Sequence, residues 1–148
     1  MTNKEKRAAL VAKIKSREGK NQYTQSSKRD QVSSGYSDCS SLQQWVYEQV
    51  LDVNIGDNTE AQMLSKQLTT IDAGISGGVP DEDKLLPGDL LYFRGTDPDR
   101  KATGYVGHVE MYVGNGELSG HGSGVGPTRK NMKEYCQSRQ NRSVAAPI

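Results

Sequence analysis

Along the first fifty residues the apolar positions recur at helical spacing. Over residues 4–16, Ala8, Leu10, Val11 and Ile14 fall roughly along one face, which predicts a short helix. The stretch REGKNQYTQSSKRDQVSSGYS (17–37) has almost no large apolar side chain and a glycine near each end. It predicts a polar loop of about twenty residues, longer than an ordinary connection and of a length that often carries function. Leu42, Val46 and Val50, with Trp45 beside them, restore the helical stripe from Ser40 to Leu51, and Ser37 or Asp38 can cap its start. Cys39 precedes Leu42 by three positions and Val46 by seven. It therefore belongs to the buried side, at the end where unpaired backbone N–H groups gather. TEAQML suggests another short helix, with Thr59 and Gln62 spaced as a capping box. Residues 69–88 read as a connector broken by glycine and proline.

The texture then changes from helix to strand. DLLYF (89–93) follows a Pro-Gly turn, and GHVEMYVGNGELSGHGSG (107–124) alternates. Val109, Met111 and Val113 should face a core, with His108, Glu110 and Tyr112 on the opposite side. Helices first and strands later predict an α+β fold with an antiparallel sheet, as a single domain over 1–148. Asn115-Gly116 is a strong hairpin signal. Pairing Val113 with Leu118 places His121 opposite Glu110 and His108 opposite Ser123. The two histidines then share a face as diagonal neighbours, about 7–8 Å apart at the backbone.

Composition narrows the function classes. The 148 residues carry a net charge of +1 with mixed signs, so nucleic acid is not the expected partner. No apolar run approaches the ~20 residues of a membrane helix, and the charged start MTNKEKRAALVAKIKSREGK lacks a secretory apolar centre. Two cysteines almost a hundred residues apart do not make a disulfide scaffold. Cys39, His108, His121 and Cys136 are the four residue types of a tetrahedral zinc site, but no cysteine pair has the short spacing such sites favour. Cys136 lies in MKEYCQSR, a helix whose apolar side holds Met132 and Tyr135, and is expected to pack beneath it.

A thiol that hydrolyses peptides needs a base and a group to orient that base. Cys39 at a helix N-terminus, where N–H groups favour a thiolate, is the candidate nucleophile. His108 is the candidate base and His121 the candidate partner holding its tautomer. The Cys39 N–H is placed to cradle an oxyanion. Asp38 opposes thiolate formation, and its presence is easier to understand if it binds a cationic group of the substrate.

SDCSSLQQWVY, LLPGDLLYF and GHVEMYVGNGELSGHG, in that order, resemble the motifs of the NlpC-type peptidoglycan endopeptidases. The resemblance covers about residues 8–135. It implies a papain-like α+β fold with Cys39 as nucleophile, His108 as base and His121 as the orienting residue. The implied reaction is cleavage of peptidoglycan stem peptides between D-γ-glutamate and a diamino acid, without a metal or organic cofactor. Asp38 matches the position that binds the free amine of the peptide, Ser40 the serine after the nucleophile, and Tyr23 the upstream tyrosine facing the thiol. Several positions depart from the pattern. Ser41 stands where glycine is usual, the segment from Tyr23 to Cys39 is longer, and Glu110 replaces a small or apolar residue. Two readings of Glu110 stay open: a carboxylate orienting His121, or a solvated edge charge. A non-catalytic wall-binding or particle module on the same fold is the alternative to a peptidase. Without a secretory signal, the wall would be reached after lysis, in a phage or mobile-element particle, or as part of a longer polypeptide.

Overall fold

A computed structural model describes residues 1–73 and 78–147. The first helix, α1 (Asn3–Lys15), begins with a reciprocal capping box between Thr2 and Glu5 and buries Leu10 and Ile14 completely. The following segment is built rather than loose. It holds strand β1 (Asn21–Tyr23), two short 3₁₀ turns at Ser27–Asp30 and Val32–Ser34, and strand β2 (Tyr36–Ser37). Helix α2 (Cys39–Leu51) packs on α1 through Leu42, Val46 and Tyr47. Each such buried side chain contributes about 1.5–3 kcal/mol by leaving water.

Helix α3 (Thr59–Met63) forms where expected, but its cap is Asn58, whose side chain accepts from the Ala61 N–H. Gln62 does not close a capping box. Its amide instead donates to the Ser40 and Gly56 carbonyls and accepts from the buried Tyr92 hydroxyl. The expected connector over 69–88 is corrected at its start, because Leu68–Ala73 form strand β3. Its residues 74–77 lie outside the described residues.

The remaining strands are β4 (Leu90–Arg94), β5 (Val106–Gly114), β6 (Glu117–Gly120), β7 (Val125–Gly126), β8 (Thr128–Asn131) and β9 (Asn141–Pro147), with helix α4 (Met132–Ser138) before the last. They form an antiparallel six-stranded sheet in the order β3-β9-β4-β5-β6-β8, and β2-β1-β7 make a small second sheet. Leu90, Tyr92, Val109 and Met111 face α1–α3 on one side. Leu91, Phe93, Tyr112 and Leu118 face α4 on the other, with Met132 and Cys136. Both faces of β4 are therefore covered, which is why LLYF is apolar without interruption.

The β5–β6 hairpin departs from the expected register. Met111 pairs with Ser119 and Tyr112 with Leu118, and a bulge between Tyr112 and Gly114 absorbs Val113. The turn holds Gly114, Asn115 and Gly116 all at positive φ. A shift of one residue moves every later side chain to the other face. Gly120, not His121, comes to lie against Glu110.

Candidate active site

Cys39 is the first residue of α2 because Asp38 closes a capping box. The Asp38 carboxylate accepts from the Ser41 N–H at 2.9 Å, and the Ser41 hydroxyl accepts from the Asp38 N–H at 2.9 Å. Ser41 thus fixes the end of the helix that presents the sulfur. The Cys39 thiol rests against β5, with Sγ 4.0 Å from the Gly107 carbonyl. Burial first, and then the Asp38 charge, push this thiol up to about 12, against the Val109 and Ser40 N–H groups that favour the thiolate. The expected lowering by the helix N-terminus is outweighed. In the resting site the sulfur holds its proton.

His108 sits in β5 between the backbone groups of Gly107 and Val109 that flank the thiol. Its ring packs near Phe93 and Tyr135, each with centroids 6.1 Å away. Its Nε2 is 2.5 Å from Glu110 Oε2. A carboxylate only accepts, so Nε2 carries the proton and Nδ1 is left as the basic nitrogen. Among the described residues no side chain or backbone group hydrogen-bonds to Nδ1.

Glu110 is fully buried, which removes the reading of a solvated edge charge. Its second oxygen accepts from Lys130 Nζ at 2.8 Å, and Lys130 also donates to the Gly120 and Thr128 carbonyls. The carboxylate crosses the backbone of Gly120 so closely that a Cβ there would overlap Oε2. Only glycine at 120 leaves room for it. Lys130 and Gly120 were not expected from the sequence, since only the bulged register brings them to Glu110.

The expectation that His121 orients His108 is corrected. His121 is completely buried, with Nδ1 2.7 Å from the Ser37 hydroxyl and Nε2 2.9 Å from the Gly124 carbonyl. The Gly124 carbonyl can only accept, so in the neutral ring Nε2 carries the proton and Nδ1 accepts from the Ser37 hydroxyl, whose oxygen also accepts from the Asn21 amide. Nε2–H then donates to Gly124, and the ring is satisfied as the neutral form. Burial pushes its pKa below the usual value. The physical reason for the correction is the bulge at Val113, which turns His121 from the Glu110 side toward β2. Nor does Glu110 orient His121, the other role considered for that carboxylate, since its two oxygens are taken by His108 and Lys130.

Tyr23 stands edge-on to His121, with ring centroids 5.1 Å apart. Burial, followed by the charges of Cys39 and Asp38, raises its phenol pKa, so the tyrosine shares the thiol's surroundings. Asp38 and Ser40 also lie beside the thiol, but they are already engaged. Arg29, from the first 3₁₀ turn, donates from Nε to Asp38 Oδ2 at 2.8 Å and from Nη2 to Oδ1 at 3.2 Å. Nη2 also reaches the Ser40 hydroxyl at 2.9 Å and the Asp57 carbonyl at 2.5 Å. Burial works to raise the Asp38 carboxyl, yet the Arg29 guanidinium and the Ser41 N–H hold it below its usual range. No periodicity in the polar 17–37 segment could have singled out Arg29.

The four residues of the zinc alternative do not converge. Cys136 is buried under α4 in the second apolar cluster, and His121 is bound to Ser37. Among the described residues no three His, Cys, Asp or Glu side chains are grouped to hold a metal ion.

A cysteine opening a helix, packed on an antiparallel strand that bears a carboxylate-held histidine, defines the papain-like class. A model of the NlpC/P60 family matches residues 18–144, and the chain belongs to that family. Comparison with curated proteins returned no match. Among solved structures, NlpC1 from Trichomonas vaginalis is 27% identical with a TM-score of 0.68, over 93% of this chain and 42% of that one. This chain thus spans less than half of that relative's length. The NlpC/p60 domain of the peptidoglycan hydrolase SagA shares the fold at 22% identity and a TM-score of 0.64, over 96% of this chain and 98% of that one. RipD from Mycobacterium tuberculosis, described as a non-catalytic NlpC/p60 domain protein adapted to peptidoglycan binding, shares it at 14% identity and a TM-score of 0.57, over 97% and 98%.

Proposed function

We propose that the chain is a cysteine peptidase that cleaves peptidoglycan stem peptides, at the bond between D-γ-glutamate and the diamino acid. The observation that carries this reading is the Glu110-held ring of His108, in the strand against which the Cys39 thiol rests. Neutral His108 accepts the thiol proton on Nδ1 while Nε2–H stays on Glu110. Because the resting thiol lies near 12, this transfer accompanies attack rather than preceding it. The sulfur adds to the scissile carbonyl, and the N-terminal N–H groups of α2 stabilise the oxyanion. The imidazolium, stabilised by buried Glu110, protonates the leaving amine, and water then releases the acyl group from sulfur. A thiol-directed covalent probe and purified peptidoglycan test the reading. Cys39→Ala abolishes both labelling and release of fragments, whereas Cys136→Ala leaves both intact. Labelling that follows Cys136 instead would overturn it. Mass spectrometry of fragments from defined muropeptides identifies the bond.

One pair of observations favours a second reading, a wall-binding module like the one RipD is described to be. The thiol is strongly disfavoured as an anion, and an internal arginine fills the space over Asp38. Retention on insoluble peptidoglycan without any fragment release would select that reading.

A further inference from the structure

Beside Cys39 opens a cleft of ≈ 210 Å³ whose wall includes Arg29, Asp38, Ser40, Asn58, Thr59 and Arg100. Asp38 is the acidic residue of that wall, and its charge is already matched. One oxygen takes Arg29 Nη2, the Ser41 N–H and the Ser40 hydroxyl, and the other takes Arg29 Nε. Arg29 is anchored beyond Asp38 by Ser40 and the Asp57 carbonyl, so the guanidinium is tied to three places at once. On the far side Arg100 is held by the Thr59 hydroxyl and the Val106 carbonyl, with Asp97 at 3.7 Å. The cleft therefore presents two guanidinium groups and one carboxylate whose charge is already paired. A substrate ammonium entering here would meet two like charges, and the carboxylate that would attract it is already paired with Arg29. An amide at the same place carries no charge and loses little.

Resting on the reading of the chain as a protein that takes stem peptides, we propose that Arg29 sets the specificity of this cleft. It replaces the cationic amine that Asp38 would otherwise bind, so the cleft takes a stem peptide whose amino end is acylated, as when it is still joined to its glycan. The free-amine peptide is disfavoured.

The test measures binding and turnover separately. Calorimetry with Cys39→Ala protein compares a synthetic stem tetrapeptide bearing a free α-amine with its N-acetyl derivative. The N-acetyl peptide binds at least tenfold more tightly. Arg29→Gln in the same background lowers that ratio by tenfold or more, because Asp38 is freed for the ammonium, and Arg29→Lys keeps the preference for the acylated peptide. Tighter binding of the free-amine peptide to the Arg29-containing protein would overturn the proposal, as would an unchanged ratio in Arg29→Gln. Should Arg29→Gln fail to fold, the ratio in the Arg29-containing protein decides alone. Turnover by the unmodified protein is scored apart from this. Absence of cleavage with an intact binding ratio counts against the peptidase reading and supports the assignment of Arg29.

Discussion

The two histidines of the β5–β6 region are both buried and both hydrogen-bonded, yet they are prepared for opposite behaviour. His108 leans on a carboxylate that is itself held by a lysine, and among the described residues nothing bonds its second nitrogen. His121 gives one nitrogen to a hydroxyl and the other to a carbonyl, so both are satisfied by neutral groups. An imidazolium at His108 would face the Glu110 carboxylate directly. Gaining a proton would cost His121 its bond from Ser37 and bury an uncompensated charge. What separates the two rings is the ionic character of their partners.

The sharpest break of this contrast removes the base. His108→Ala lowers kcat on peptidoglycan fragments by at least ~10³-fold, as loss of a base does in comparable triads. The same change at His121 leaves kcat within about tenfold in folded protein, measured by fragment release per labelled thiol. Equal losses from the two variants would remove the distinction. Glu110→Gln keeps the shape but takes away the charge, and Lys130 is left without its ionic partner. Its expected loss is about 10²–10⁴-fold in kcat, with KM little changed. A smaller version of the same test acts from the neighbouring strand. Gly120→Ala puts a methyl where the Glu110 carboxylate passes, and Gly120 does not have the positive φ that would itself oppose alanine. Moving the carboxylate by even an ångström loosens Nε2, so kcat falls about 10–100-fold, with KM little changed.

How much of this was legible follows from the kind of signal each part leaves. Helices α1 and α2 and strand β5 carry their burial as periodicity, β4 as an unbroken apolar run, and Leu10, Ile14, Leu42 and Val109 lie where the pattern places them. The placement of Cys39 on the first turn of α2 follows from the cap alone. The hairpin turn was legible too, but the bulge at Val113 was not, because alternation runs straight through it. That single extra residue decides whether Glu110 meets His121 or Gly120. Strand β9 lies between β3 and β4, yet its NRSVAAP sequence is small and partly polar and gives no alternating signal. The pairing of Arg29 with Asp38 joins a 3₁₀ turn to a helix cap, and no local pattern announces such a contact.

Sequence also suggested a catalytic His121, so its structural role is the part of the comparison to sharpen. His121→Asn removes the ring that joins β2 to the Gly124 loop and supports Tyr23. It leaves Ser37 short of an acceptor, and the expected loss is about 1–3 kcal/mol in urea unfolding. Activity per folded molecule survives, with Tyr23 less well placed and KM the parameter that moves.

The smallest expected effect is the pH dependence of that stabilisation. Burial depresses the folded-state pKa of His121 below its unfolded value near 6.5. A histidine held neutral stabilises fully above the unfolded pKa, and its contribution is lost as pH falls through the depressed folded value. Between those two values the unfolded chain binds the proton more readily than the folded one, so stability must rise with pH there. The difference in urea midpoint between the parent protein and His121→Asn should therefore be greatest at pH 8 and shrink toward pH 5. A difference that grows on acidification would mean that the folded ring welcomes the proton, and His121 would then belong with His108 as an ionisable partner of the site.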